Sequence, residues 1–325
     1  MKQLLTILFL LTFSFCFAQK KNKSQIDPFA GLDTSFQRVL KDRKAAGFAV
    51  AVVSKNKILY SQGFGYRDYE NKLPVTSNTL FAIGSCTKAF TSSLIGLLNK
   101  EGKVDYDKPV RTYLPELHFF NDYLNDHVTL RDMMSHRTGL PRHDISWYLF
   151  NTPSKDSLLL RIQYQEPTAE LRQIWQYNNF MFLAQGMVAE KLSGKTWEEN
   201  VQEKLFDPIG MKSSNLSIAG MKKNSEAATG YTVYKDSLIK KMDYYDISGM
   251  APAGSINSNV IDMAKWVMTW INGGKFNGKE ILPASYVQQA MSSQMVITAA
   301  LPDKEITDSY LANYGFGWKI GRAHV

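Results

Sequence analysis

Residues 81–90 read "FAIGSCTKAF", and within them Ser85 and Lys88 stand three apart. A serine hydroxyl is a weak nucleophile and needs a base beside it. Lysine is that base only when it loses its proton, which burial and the positive end of a helix dipole both favour. If Ser85 opens a helix, Lys88 lies one turn on and on the same face. The helix start then serves twice. It lowers the Lys88 pKa, and its backbone N–H groups can hold a developing oxyanion. Gly84 permits the sharp entry. The plainer alternative is a capping serine and a surface lysine. Spacing alone does not choose, because Ser54 with Lys57 and Ser237 with Lys240 match as well.

The surrounding elements do choose. After Ser85, apolar residues recur at Phe90, Leu94, Leu97 and Leu98, an amphipathic helix that Gly102 ends. Ser54 and Lys57 fall on the turn between "GFAVAVV" (47–53) and "KILYSQGFGY" (57–66), which reads as a hairpin of buried strands. Ser237 and Lys240 lie in a polar segment with no helix start. Further helices are expected from "TSFQRVLKD", where a Ser/Thr cap opens the pattern, "TLRDMMSH" (129–136) and "FMFLAQGMVAEKLSG" (180–194). Another follows the capping box Thr196/Glu199 and closes before Pro208, and one is capped by Ser258 and ends at Gly273. "YGFGWKI" (314–320) returns to strand character. Strands open the chain, helices fill the middle, and a strand reappears near the end. One α/β sheet built from both ends, with a helical lobe between, accounts for that order, and a site at the seam of the two lobes follows.

A second motif falls on the far side of the helical stretch. "QYNN" (176–179) precedes the helix starting at Phe180. Tyr177 would shuttle protons with Lys88, and Asn179 would hold Lys88 and a substrate amide. The alternative is a packed tyrosine and a capping asparagine. Tyr69/Asn71 and Tyr123/Asn125 share the spacing, but only Tyr177/Asn179 abuts such a helix.

Here the chain resembles the penicillin-recognising serine hydrolases: class C-type β-lactamases, DD-peptidases and related esterases. The resemblance runs over roughly 36–320. It is carried by "FAIGSCTKAFTSSLIGLLNKEGKVDYDKPVRTYLPEL", "TLRDMMSHRTGLP", "QYNNFMFLAQGMVAEKLSGKTWEENVQEKLFDPIGM", "PAGSINSNVIDMAKW" and "YGFGW". "WQYNN" and "PAGSINSN" look most similar to the D-amino-acid-specific serine peptidase branch. The resemblance implies a β-lactamase/DD-peptidase-like α/β fold with an antiparallel sheet from both chain ends plus the helical lobe. It implies Ser85 as acylated nucleophile, Lys88 and Tyr177 as proton-transfer partners, Asn179 as substrate contact, and no cofactor or metal. No Glu-x-x-x-Asn of the class A type is found, which favours the tyrosine-based mechanism. The family's third motif, Lys-Thr-Gly or His-x-Gly on a strand beside the nucleophile, does not follow "YGFGWK", and His324 is no substitute. The C-terminal strands are therefore expected to be missing. Residues 320–325, "IGRAHV", read as a non-native tail, since a common sequencing-adapter sequence would encode them.

Composition bounds the rest. The 325 residues are 44% hydrophobic and 21% charged, with 6 Trp, 16 Tyr and 18 Phe, enough for a substantial core. The net charge of +8 is interspersed with acidic residues, so no nucleic-acid partner is expected. Lys2, the apolar "LLTILFLLTFSFCF" and Ala18 read as a signal peptide, 1–18, cleaved after Ala18. A secreted or periplasmic hydrolase is expected, with a lead-in over 19–35 and the hydrolase domain over 36–319; the membrane enters only through the signal. The mature chain keeps one cysteine, Cys86, read as a small packing residue. His136, His143 and Asp144 lack the spacing of a closed metal site and are given structural roles. The expected substrate is a D-amino-acid peptide, a β-lactam or an ester. The alternative is a non-catalytic penicillin-binding or sensor-type protein, or an inactive fragment. Sequence does not give the oligomeric state.

Overall fold

The structure is a computed structural model, and it describes residues 28–235, 238–299 and 311–321. The signal, most of the lead-in, Ser237, His324 and Val325 lie outside the described residues. Two units divide at Val39/Leu40. The first contains most of helix α1 (Leu32–Asp42), which begins ahead of the expected Ser/Thr cap. The second begins at Leu40 and carries the remaining described elements.

The β-branched run forms strand β1 (Gly47–Val53), and it pairs antiparallel with β2 (Ile58–Asp68), which pairs with β3 (Leu73–Pro74). The Ser54 N–H donates to Lys57 O at 2.9 Å and closes the hairpin turn, so that Ser/Lys match has a local structural role. The hairpin is not fully buried: β1 is half-buried along its length, with its partner β2 on one side. A short strand, β4 (Phe81–Ala82), leads through a 3₁₀ turn at Gly84–Cys86 into helix α2 (Thr87–Lys100).

The helical stretch contains α3 (Leu130–Met134), whose start is a capping box between Thr129 and Asp132. It also contains α4 (Phe180–Ser193), closed by Gly194 as expected. Helix α5 (Trp197–Val201) carries the expected Thr196/Glu199 capping box. It does not close before Pro208. A π-helical turn at Gln202–Phe206 carries the chain without a break into a helical turn at Asp207–Ile209, which contains Pro208. A hairpin that sequence reading missed, β5 (Gly230–Tyr234) with β6 (Leu238–Met242), interrupts this stretch, and Lys240 lies on its second strand. Then come β7 (Asn257–Ser258), which pairs with β4, and α6 (Val260–Ile271). The cap of α6 is Asn259, one residue past the expected Ser258: its side chain accepts from the Asp262 N–H, while Ser258 is in the strand.

Helix α7 (Ala284–Ala290) precedes the antiparallel strands β8 (Met295–Ala299), β9 (Leu311–Tyr314) and β10 (Lys319–Ile320). "YGFGWKI" is thus not one strand: a tight turn over 315–318 sets Tyr314 opposite Lys319. The fold is the expected α/β class, with helices and antiparallel sheets. The strands from the two ends, however, hydrogen-bond in two separate three-stranded sheets among the described residues, not in one. Each pairs with its neighbours in sequence, the arrangement hairpins favour.

Part of the core gathers where α2, α6 and the π-helical turn meet. Phe90 stacks on Trp266 with ring centroids 4.1 Å apart and meets Phe206 edge-on. All three are fully buried, each worth about 1.5–3 kcal/mol of apolar transfer. The turn after β9 packs on the backbone of α2. Gly317 has φ +74, and a Cβ there would lie 2.9 Å from Lys88 O. Gly317→Ala is therefore expected to cost about 2 kcal/mol or more from left-handed backbone strain and the clash. Urea unfolding checks this; an unchanged midpoint would show that the turn yields without cost.

Candidate active site

Four segments converge on the first turn of α2. Ile83 N–H donates to Ile256 O at 3.0 Å, and β4 pairs with β7, which fixes the approach to Gly84. Gly84 has φ +52, the left-handed bend that turns the chain into the 3₁₀ turn carrying Ser85. Ile256 N–H donates to Thr87 Oγ1 at 3.2 Å, and Thr91 Oγ1 donates to Pro252 O at 2.7 Å. These bonds tie 252–256 along the helix.

Ser85 is exposed and Lys88 is fully buried. Lys88 Nζ lies 3.1 Å from Ser85 Oγ, 2.7 Å from Asn179 Oδ1 and 2.7 Å from Ala253 O. The Tyr177 hydroxyl donates to Ser85 Oγ at 2.5 Å. All four residues singled out from sequence therefore meet in one network. Tyr177 and Asn179 arrive on the segment that starts α4, with Asn179 at its N-cap position. The other Tyr-x-Asn matches are elsewhere: Asn71 bonds Asp68, and Tyr123 stacks on His127.

Burial pushes the Lys88 amine down to about 7, Asp144 opposing that shift and Arg142 adding to it. Near neutral pH the amine is then divided about equally between its charged and uncharged forms, and the surrounding groups accommodate the uncharged one. A neutral amine has two N–H groups and one lone pair. Asn179 and Ala253 offer carbonyl oxygens to the two donors, and the lone pair is left for the Ser85 hydroxyl proton. Burial raises the Tyr177 pKa above its ordinary value, outweighing the Ser85 hydrogen bond and Arg142, so the phenol keeps its proton.

Several groups that sequence reading did not assign to the site stand beside this network. Asp144, assigned a structural role, accepts from Asn179 Nδ2 at 2.9 Å. His136 is fully buried against Tyr177, with ring centroids 4.5 Å apart, and its Nδ1 accepts from the Asn178 N–H. Burial and the nearby Lys88 and Arg142 hold its pKa well below the ordinary value, so it is neutral. Ala253 contributes through its backbone oxygen, which no side-chain motif reports. Cys86 is exposed, not packed, because it sits on the outer side of the 3₁₀ turn. One expectation fails in part. The 3₁₀ turn engages the Cys86 and Thr87 N–H groups with Ile83 O and Gly84 O, so those two are not open to an oxyanion. Beside the site, Gly254 packs on Gly84 and lines a cavity of about 390 Å³ whose walls include Leu216, Ile218, Tyr244, Tyr245 and Ile247.

With this geometry in hand, comparison with known proteins is decisive at the level of the family. The beta-lactamase family model matches residues 32–324. The chain belongs to the beta-lactamase family. It is 33% identical over 264 residues to an unguisins hydrolase of Aspergillus campestris, covering 76% of this chain and 48% of that protein. It is 28% identical over 200 residues to the teichoic acid D-alanine hydrolase of Staphylococcus aureus, covering 59% of this chain and 48% of that one. The chain spans about half the length of the curated relatives it matches. Its fold is that of the D-amino acid amidase of Ochrobactrum anthropi, with a TM-score of 0.71 at 22% identity over 90% of this chain and 81% of that one.

Proposed function

We propose that this beta-lactamase family member is a serine hydrolase that opens amide or ester bonds through an acyl-enzyme on Ser85. The observation that carries the proposal is the Ser85 hydroxyl held between the Lys88 amine and the Tyr177 phenol, at 3.1 and 2.5 Å. Neutral Lys88 takes the Oγ proton as Oγ attacks the substrate carbonyl carbon. The tetrahedral intermediate then collapses, the C–N or C–O bond breaks, and the leaving atom takes the Tyr177 proton, which the proton on Lys88 replaces. A water then attacks the acyl carbon, gives its proton to Lys88, and Ser85 leaves reprotonated. Asn179 keeps Lys88 in place and contacts the substrate amide. This serves the family resemblance and the hydrolase names of the relatives alike.

The proposed substrate is a small molecule or peptide bearing a D-amino acid at the scissile carbonyl. Its support is the D-alanine and D-amino acid chemistry in the names of two similar proteins. The cavity beside Gly254 combines apolar walls at Leu216, Ile218 and Ile247 with the carboxylates of Glu198 and Asp246, so it suits an apolar or cationic side chain and disfavours an anionic one. We also place the protein outside the cytoplasm, secreted or periplasmic, on the reading of 1–18 as a signal peptide; among the described residues no helix is long and apolar enough to cross a membrane.

The test is covalent capture. A fluorescent penicillin or a fluorophosphonate should label the full chain, and peptide mapping should place the adduct on Ser85. Ligand binding with no adduct would favour the non-catalytic penicillin-binding or sensor alternative. A second expectation follows from Lys88. Only its neutral form accepts the serine proton, so the acylation rate should rise with pH through about 7 and then level. An acylation rate flat between pH 5 and 9 would remove Lys88 as the base.

A further inference from the structure

Asp144 stands just ahead of a short helix at Ile145–Tyr148, and its two oxygens meet donors from three residues. Oδ1 accepts from Asn179 Nδ2 at 2.9 Å and from Trp147 Nε1 at 3.0 Å. Oδ2 accepts from Arg142 Nε at 2.7 Å, and a second Arg142 nitrogen lies 2.6 Å away. An asparagine amide has one accepting end and one donating end. Here the accepting end faces Lys88 Nζ at 2.7 Å and the donating end faces Asp144. Turned over, the amide would set its NH₂ against the lysine amine and its oxygen against the carboxylate. A carboxylate only accepts, so Asp144 selects the first arrangement. The Arg142 guanidinium also lies over the Tyr177 ring, 4.7 Å from its centre.

We propose that the Arg142–Asp144 ion pair is a positioning device for this site: Asp144 locks the Asn179 amide with its oxygen on Lys88, and Arg142 locks Asp144. The inference rests on Ser85 and Lys88 being the working pair proposed above.

The pair also sets the charge around the lysine. Asp144 favours protonated Lys88 and Arg142 disfavours it. The other groups facing Lys88 are Ser85 and Cys86 on its own turn, Tyr177, Asn179 and Phe182 from the segment of α4, neutral His136 from the end of α3, and the Ala253 carbonyl. Substitutions in the pair replace none of these residues, but Asn179 faces a changed partner in Asp144→Asn and Tyr177 loses its cationic neighbour in Arg142→Gln.

Lys88 can be titrated directly, by NMR of the full chain carrying ¹³Cε-lysine. Asp144→Asn should lower its midpoint below the wild-type value near 7. The same variant should reduce kcat roughly tenfold or more, since a working group held about 1 Å off its productive geometry loses up to about 100-fold. Arg142→Gln should move the midpoint the other way, upward. Asp144→Glu, which keeps the charge, should hold it near the wild-type value, and Trp147→Phe, which removes only the third donor, should not move it. Midpoints that stay fixed, or that shift in one direction for both Asp144→Asn and Arg142→Gln, overturn the proposal. Should Asp144→Asn fail to fold, Arg142→Gln still decides, because that side chain is 61% exposed. Wild-type labelling at Ser85 is run alongside. Its absence would sink the hydrolase proposal while leaving the Lys88 titrations readable.

Discussion

Ser85→Ala is expected to abolish acyl-enzyme formation and to lower turnover by at least about a thousandfold, the scale on which removal of a nucleophile acts. The protein should still fold. Ser85 is exposed on a 3₁₀ turn, and its loss removes one hydrogen bond each from Lys88 and Tyr177, with a stability change within about 1 kcal/mol. Thermal unfolding and covalent labelling of the same sample separate the two effects. Labelling that persists in Ser85→Ala would move the nucleophile elsewhere. Cys86 is the first place to look, since its thiol is exposed one residue away.

The largest expected effect on stability lies behind the site, at Asp132. Its carboxylate is fully buried. It accepts from Arg137 Nε at 2.7 Å and Arg172 Nη2 at 2.9 Å, and it closes the Thr129 capping box that starts α3. Burial alone would raise its pKa; the bonds from Arg172, Arg137 and Thr129 outweigh that and hold it below the ordinary value. Asp132→Ala removes the carboxylate half of the capping box, leaving Thr129 as the cap, and leaves Arg137, whose side chain is 17% exposed, without its carboxylate partner. The expected cost is about 3 kcal/mol, the lower end for breaking a buried pair because Arg172 is half-exposed and can find water. Denaturant unfolding measures this directly, and a loss below 1 kcal/mol would contradict it. The pH dependence has a defined sign. The folded pKa is depressed, so this stabilisation is present above the unfolded value of 3.8 and is lost as pH falls through the folded one. The wild type should lose stability in that acid range, and the variant should lose less.

The four residues Ser85, Lys88, Tyr177 and Asn179 were legible because each lies at or just before a helix start, α2 with a periodic apolar stripe and α4 with an unbroken apolar run that is buried on all sides. Asp144 was not. Its role depends on a loop folding back 35 residues in sequence to meet Asn179, and a lone Arg-x-Asp carries no such signal. The Ala253 carbonyl is a backbone acceptor and cannot be named from residue types. Helix starts were read to within a residue where capping chemistry is strong, as at Thr129 and Thr196, and missed by one where Ser258 and Asn259 both offer it. Pro208 misled because a π-helical turn ahead of it lets the helix run on. The fold class followed from element order, but sheet membership did not, since strand pairing over long separations leaves no local pattern.

The Lys88 amine is desolvated by partners 91 and 165 residues away along the chain. Contacts of such separation are slow to form, because long loops must close before they are rewarded. In any partly folded chain Lys88 would be wet, protonated and without effect on its neighbour. On the proposed mechanism the serine would stay chemically silent until Asn179 and Ala253 have docked, making reactivity a late product of folding rather than a property of the motif.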